Sequence, residues 1–240
     1  MLSIGKNAVR ELIGSDTQIN RLYVLKGAHD LDKLVEGARA KGARIEFCDK
    51  KLLDKLAGEL RHQGVIAETA DFAYSSLGDL LGIARAKGEK VFIVLLDGVE
   101  DPHNLGSILR VAECAGAHGV VIPSRRSASV NETVIRISAG AANHVAVAKV
   151  GNINDAIRKL KDEFVNVYCA DMDGESIYDV RFDGDTAIVI GSEGFGVKEL
   201  TSRLCDKSVA IPQRGKVNSL NASVACGIIC YEAVRQRYGK

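Results

Sequence analysis

The sequence predicts an α/β protein of two units, the second built on a parallel sheet. Three observations predict it. Apolar periodicity alternates between helical and strand type along all 240 residues. The run "VFIVLL" (residues 91–96) is continuously apolar, as in a strand buried on both faces of a parallel sheet. Ahead of it, roughly seventy residues complete a pattern of their own, at the small end of the domain range.

In the first unit, "GKNAVRELIGS" has a helical pattern and "INRLYVLKG" reads as a strand. "HDLDKLVEGARAKG" is a helix closed by Gly42. "ARIEFCD" is a strand, "KKLLDKLAGEL" a helix and "GVIAETA" a short strand. Residues 71–90 begin as a linker and continue as a helix. After "VFIVLL" come the helix "NLGSILRVAECAGA", the strand "GVVI" and the start of a helix in "NETVIRISAGAA". "HVAVAKV", "VNVYCAD", "TAIVIGS" and "KSVAIP" are further strands, with the helices "INDAIRKLKDEF" and "VKELTSRL" among them. The last helix runs from about Ser219 to Arg237. The boundaries expected are 1–72, a linker and leading helix over 73–90, and 91–240.

Composition excludes several classes. Hydrophobic residues are 46% and charged residues 26%, which argues against a disordered chain or a fibre. No apolar run is long enough to span a bilayer, and the N-terminus does not read as a signal peptide. Six cysteines form no C-x-x-C pair, and no histidine stands at zinc-ligand spacing, so no metal is expected. Cys226 and Cys230, four apart on an apolar helix, suit core packing. All six read as reduced thiols of a cytoplasmic protein. A net charge of +1 announces no nucleic-acid binder, although local basic patches remain open.

Three loops after three expected strands hold polar residues that packing does not require, where open α/β sheets gather ligands. In "LLDGVEDPHNLGSILRVAE", Asn104 is a candidate helix cap, and Arg110 follows within the second turn. In "AIVIGSEGFGV", Gly191, Gly194 and Gly196 follow a buried strand, with Glu193 in the turn. The spacing is not the dinucleotide-fold G-x-G-x-x-G. Gly191 would let backbone approach a ligand. In "IPQRGKVNSLNASVACG", Val217 follows Lys216 where a phosphate-binding loop needs Ser or Thr. Asn218, Ser219, Asn221 and Ser223 exceed what capping one helix requires.

Together the three loops resemble the signature motifs of the SpoU (TrmH-type) RNA ribose 2′-O-methyltransferases of the SPOUT class. Asn104 and Arg110 meet the first motif. Gly191, Glu193 and Gly196 meet the second, and residues 211–223 the third. "SIGKNAVRELI" and "HQGVIAE" resemble the start and end of the family's small N-terminal α/β RNA-binding domain, itself similar to a ribosomal protein. Over its whole length the chain is most similar to members that methylate a guanosine of 23S ribosomal RNA. Transfer RNA, another ribosomal site, or a non-catalytic role in ribosome assembly are the alternatives.

The resemblance implies a C-terminal trefoil-knotted methyltransferase domain that binds S-adenosylmethionine. It implies cofactor contacts at Gly191, Ile211 and Leu220. It implies catalytic roles for Asn104, Arg110, Glu193, Ser219 and Asn221, and a homodimer formed through the catalytic domain. Arg125, Arg126, Arg214 and Lys216 are candidates for RNA phosphate near the site. Lys6, Arg10, Arg21 and Arg61 are candidates in the first unit.

Overall fold

Short strands and helices of the first unit each carry one apolar face, and layering is what buries them. The computed structural model describes residues 1–15, 17–216 and 219–239. Its contacts divide the chain into Met1–Ala73 and Tyr74–Lys240.

The first unit runs β1 (Leu2–Ile4), α1 (Lys6–Gly14), β2 (Ile19–Leu25), α2 (Asp32–Ala40), β3 (Arg44–Cys48), α3 (Lys50–Ala57) and β4 (Val65–Thr69). The sheet order is β1-β4-β2-β3, with only β2 and β3 parallel. Val9 and Leu12 of α1 and Leu34, Val35 and Ala38 of α2 pack on Leu22, Val24 and Ala67. Leu53 and Ala57 of α3 pack with Tyr23, Cys48 and Ile66. The alternation of Leu22, Tyr23 and Val24 between these clusters is the two-residue strand period, so helices cover both faces. Gly42 follows α2 with a φ of 78°, as expected of a residue that closes a helix. The three-residue β1 was absent from the expected elements; it pairs with β4 from Leu2↔Glu68 to Ile4↔Ile66.

The second unit begins with α4 (Leu77–Lys87), where Ser76 and Asp79 form a reciprocal capping box. Then follow β5 (Phe92–Asp97), α5 (Pro102–Cys114), β6 (Gly119–Pro123), α6 (Glu132–Ile137), β7 (Val147–Val150), α7 (Ile153–Asp162), β8 (Asn166–Ser176), β9 (Thr186–Gly191), α8 (Glu199–Leu204), β10 (Lys207–Ala210) and α9 (Ala222–Tyr238). The sheet is six-stranded, in the order β10-β8-β9-β5-β6-β7, and every pair is parallel. All six residues of β5 are buried, as its unbroken apolar run requires. Leu80 and Leu81 of α4 and Ile157 and Leu160 of α7 cover one face with Ile93, Leu95 and Val189. On α9, Cys226 and Cys230 are fully buried, with sulfurs 3.8 Å apart.

Two of the boundaries that differ from expectation bear on the site. β8 continues through "MDGES", because β10 shifts register at Ser208/Val209 and re-pairs with Glu175 and Ser176. Helix α5 starts at Pro102, and its cap is Asp101, whose carboxylate accepts from His103 N at 2.9 Å. Asn104 is therefore not the cap, and Arg110 falls in the third turn. Aspartate followed by proline suits this start, since proline has no N–H to leave unsatisfied.

Candidate active site

Because the sheet is parallel, the loops after β5, β9 and β10 leave it at the same end, and three side chains from these loop regions converge. Freed from capping, Asn104 points inward and is 6% exposed. Its Nδ2 donates to Glu193 Oε1 at 3.0 Å. The Nδ2 of Asn221 donates to Asn104 Oδ1 at 2.9 Å and also to Glu193 Oε1. The result is a closed triangle, one member from each loop region.

Asn221 does double duty. Its Oδ1 caps α9, accepting from Ser223 N at 2.9 Å, Val224 N at 3.3 Å and Ser223 Oγ at 2.6 Å. Its two amide atoms thus connect the start of α9 to the Glu193 turn. Asn218 lies outside the described residues.

The turn that holds Glu193 is closed by two backbone bonds. Ser192 N donates to Gly196 O at 3.0 Å, and Gly196 N donates to Ser192 O at 2.9 Å. At its far end Lys198 N donates to Asp97 at 3.1 Å, and the Lys198 ammonium pairs with the same buried carboxylate. Gly191 has a reason nearer than ligand approach. A Cβ there would lie 2.0 Å from the carbonyl carbon of Gly196 and 2.2 Å from Val197 N. The chain's own backbone fills the place of a side chain.

Beside the triangle lies a cavity of about 320 Å³ at the carboxyl ends of β8, β9 and β10. Gly191, Ile211 and Leu220 all line it, and so do Glu193 and Ser219. Sequence reasoning missed Asp171, Met172, Phe195 and Gln213, which also line it. Met172 opens the polar extension of β8, and Asp171 ends the strand that the sequence predicts. Their one available signal was position after an apolar strand. Just before them, the thiol of the buried Cys169 is held down to about 6 by hydrogen bonding from Cys205, Ser202 and Ser208, against the opposing effect of burial. Hydrogen bonding with Cys169, together with burial, pushes the Cys205 thiol up.

Other expected residues are not gathered. Arg110 is exposed and takes no part in the triangle. Arg125, Arg126, Arg214 and Lys216 are all exposed, as phosphate ligands need to be. In the first unit, Lys6 pairs with Asp30. Arg21 pairs with Glu46 at 3.0 Å and Glu68 at 3.7 Å. Those two charges are compensated within the fold, which weakens them as phosphate ligands. Arg10 and Arg61 remain exposed. Among the described residues no cluster of His, Cys, Asp and Glu suits a metal ion, and no helix is long and apolar enough to cross a membrane.

A parallel sheet with a cavity at its strand ends and three convergent polar loops is the layout of an α/β enzyme that holds a small-molecule ligand. The chain belongs to the SpoU rRNA methylase family, whose sequence profile matches residues 91–231. The profile for the RNA 2′-O ribose methyltransferase substrate-binding domain matches residues 3–75. Bacillus subtilis YacO, named for the TrmH family of tRNA/rRNA methyltransferases, is 40% identical over 239 residues, covering 98% of this chain and 95% of its own. The 23S rRNA (guanosine-2′-O-)-methyltransferase RlmB of Xanthomonas campestris pv. campestris is 39% identical over 240 residues, covering 98% and 96%. Among solved structures, the SpoU methyltransferase AviRb of Streptomyces viridochromogenes matches with a TM-score of 0.66 at 25% identity, over 99% of this chain and 89% of that one. AviRb in complex with the cofactor AdoMet matches with a TM-score of 0.64 at 24% identity, over 100% and 91%.

Proposed function

We propose that this enzyme transfers the methyl group of S-adenosylmethionine to the ribose 2′-hydroxyl of a guanosine in 23S ribosomal RNA. The observation that carries the reading is the Asn104–Glu193–Asn221 triangle, which joins three motif loops beside the cavity. The cavity fits the cofactor in size and lining. Its roughly 320 Å³ lies in the range of small-molecule sites, with apolar Ile211 and Leu220 and the backbone of the 191–196 turn along its walls. When bound, S-adenosylmethionine supplies a methyl group on a sulfonium, so the electrophile and the leaving group arrive together. The family's trefoil knot, formed around these loops, is part of the same reading.

The chain's own residues then have to bind and orient, while the hydroxyl proton passes to water as the oxygen–methyl bond forms and the sulfur–methyl bond breaks. Gly191, Ile211 and Leu220 bind the cofactor. The triangle fixes Glu193 by two amide donors, so the carboxylate faces the substrate ribose in one orientation. Ser219, exposed on the cavity wall, offers a hydroxyl to the target nucleotide. A guanidinium is a cation rather than a base, so the role of Arg110 is to hold a phosphate or the forming alkoxide. Alignment of this kind contributes about 7–11 kcal/mol when geometry is good.

Residues 1–72 serve as the RNA-binding part, with the exposed Arg10 and Arg61 among its candidate phosphate ligands, and Arg125, Arg126, Arg214 and Lys216 hold phosphate near the site. The enzyme works as a homodimer in the cytoplasm. Val224, Tyr231 and Tyr238 on α9 support the dimer: they are exposed and lie seven residues apart, along one stripe of the helix. The choice of 23S RNA is supported by RlmB relatives that match over nearly their whole length.

The deciding experiment maps ribose 2′-O-methyl sites in ribosomal and transfer RNA from cells with and without the gene. A single guanosine of 23S RNA should lose its methyl group in the deletion strain. Loss from transfer RNA would move the substrate, and an unchanged map would end the reading.

A further inference from the structure

Phe195 is 94% exposed, the most exposed of the large hydrophobic side chains described. An aromatic side chain left in water forgoes burial free energy, so its placement calls for a reason. Exposure alone is not one, since Phe164 is 89% exposed on a turn after α7. Phe195 differs in its setting. It sits in the turn that carries Glu193, two residues away, and it lines the cavity. Two reciprocal backbone bonds between Ser192 and Gly196 close the turn around it. Gly194 beside it leaves open space, with no atom within 4 Å of where a Cβ would be. The ring is therefore carried on a fixed turn and held out to solvent at the mouth of the site.

We infer that Phe195 is a stacking platform for the base of the target nucleotide, which rests on the reading of the site as an RNA 2′-hydroxyl methyltransferase. A ribose presented to Glu193 brings its base with it. Two residues of extended chain span at most about 7 Å, so Phe195 stays within reach of that base. Sequence-specific RNA recognition targets nucleotides in loops and single strands, whose unstacked base faces then need a partner. Single-stranded RNA is commonly recognised by stacking unstacked bases on aromatic side chains. Adenine of the cofactor is the competing occupant, since Phe195 also lines the cavity, and fluorescence separates the two. Phe195 is thus a positioning residue for substrate, separate from proton transfer and from cofactor binding.

The test exploits the absence of tryptophan from the chain. In the full-length F195W variant the single indole reports on this position alone. Its emission should be quenched by a guanosine-containing single-stranded octaribonucleotide and left unchanged by S-adenosylmethionine. In parallel, F195A and F195L should raise KM for the RNA roughly 10- to 100-fold, with kcat at saturating RNA and cofactor affinity held. F195Y and F195W should restore KM, because they keep a π face that leucine lacks. Normal KM in F195A and F195L would overturn the inference. So would quenching by the cofactor alone, or an emission that changes with protein concentration in the absence of RNA, which would place a second copy on the ring. If wild-type protein methylates no RNA, the reading of function fails by itself, while the fluorescence still decides whether Phe195 meets a base.

Discussion

Replacing Asn221 with Asp separates the two duties of that side chain. The three contacts made by Oδ1 at the start of α9 survive, because a carboxylate caps a helix as well as an amide. The Nδ2 contacts invert. An oxygen now faces Asn104 Oδ1, 2.9 Å away in the native chain, and Glu193 Oε1. Two like charges about 4 Å apart repel by about 4 kcal/mol at an effective dielectric of about 20. Glu193 is exposed, so solvent reduces this to about 1–2 kcal/mol. Losing the charge-assisted bond adds about 1.5–3 kcal/mol. Asn221→Ala loses the same bond and also the cap, worth about 1 kcal/mol, but adds no repulsion. The variants therefore separate by pH. In Asn221→Asp the folded state favours protonation of the carboxyl pair more than the unfolded state does, so the folded form binds more protons and stability falls as pH rises. Urea unfolding of the second unit at pH 5 and pH 8 reads this. Asn221→Asp should be the more stable variant at pH 5 and lose that advantage at pH 8. Parallel behaviour of the two variants would refute the assignment of the amide nitrogen to Glu193.

Further outcomes follow from other contacts. Gly191→Ala drives a methyl group against the Gly196 backbone and should cost about 3 kcal/mol or more while abolishing cofactor binding, read by urea midpoint and calorimetry. His118 is buried, with Nδ1 accepting from Phe92 N and Nε2 beside Glu89, and burial lowers its pKa. A base lowered on folding stabilises fully above about pH 6.5, its unfolded value, and that contribution fades as pH falls below 6.5; His118→Gln should flatten this part of a stability–pH curve. Arg237 donates to the carbonyls of Phe182, Lys90, Val91 and Gly184 and lies 4.7 Å from the Phe92 ring centroid. Arg237→Lys keeps the charge but loses the planar fork, and should lower stability by about 2 kcal/mol in denaturant titration.

How much was legible in the sequence depended on the kind of signal. Strands such as β5 and β9 were readable because burial on both faces leaves an unbroken apolar run. The end of β8 was not, since "MDGES" is polar and its strand character comes from pairing with β10 across a register shift. Cap chemistry was half legible. Both Asp101 and Asn104 are good capping types, and sequence cannot say which one the helix starts on. The structure uses Asp101, and that choice turns Asn104 inward to the triangle. Gly191 was noticed for the right property, a missing Cβ, but its nearest neighbour is the chain itself. The convergence of three loops was visible only through their motif resemblance. Periodicity says nothing about which turns meet.

Arg110 is where local geometry bears hardest on the proposed mechanism. From Asn104 to Arg110 a helix rises about 9 Å and turns about 240° past it. Asn104 faces inward and Arg110 faces solvent, so the two cannot serve one point from one copy of α5 without a large rearrangement. The proposed homodimer removes the difficulty if Arg110 of one copy completes the site of the other. Complementation tests this directly. Arg110→Ala and Glu193→Ala should each be inactive in methyl incorporation while remaining dimeric. Co-refolded in equal amounts, half the dimers become mixed, and each mixed dimer holds one site with neither defect. Activity should then recover to about a quarter of wild type. If Arg110 and Glu193 act within the same chain, every site in the mixture carries a defect and nothing is recovered. Absence of recovery in a mixture shown to contain mixed dimers would therefore remove the shared site and return Arg110 to the chain that carries Glu193.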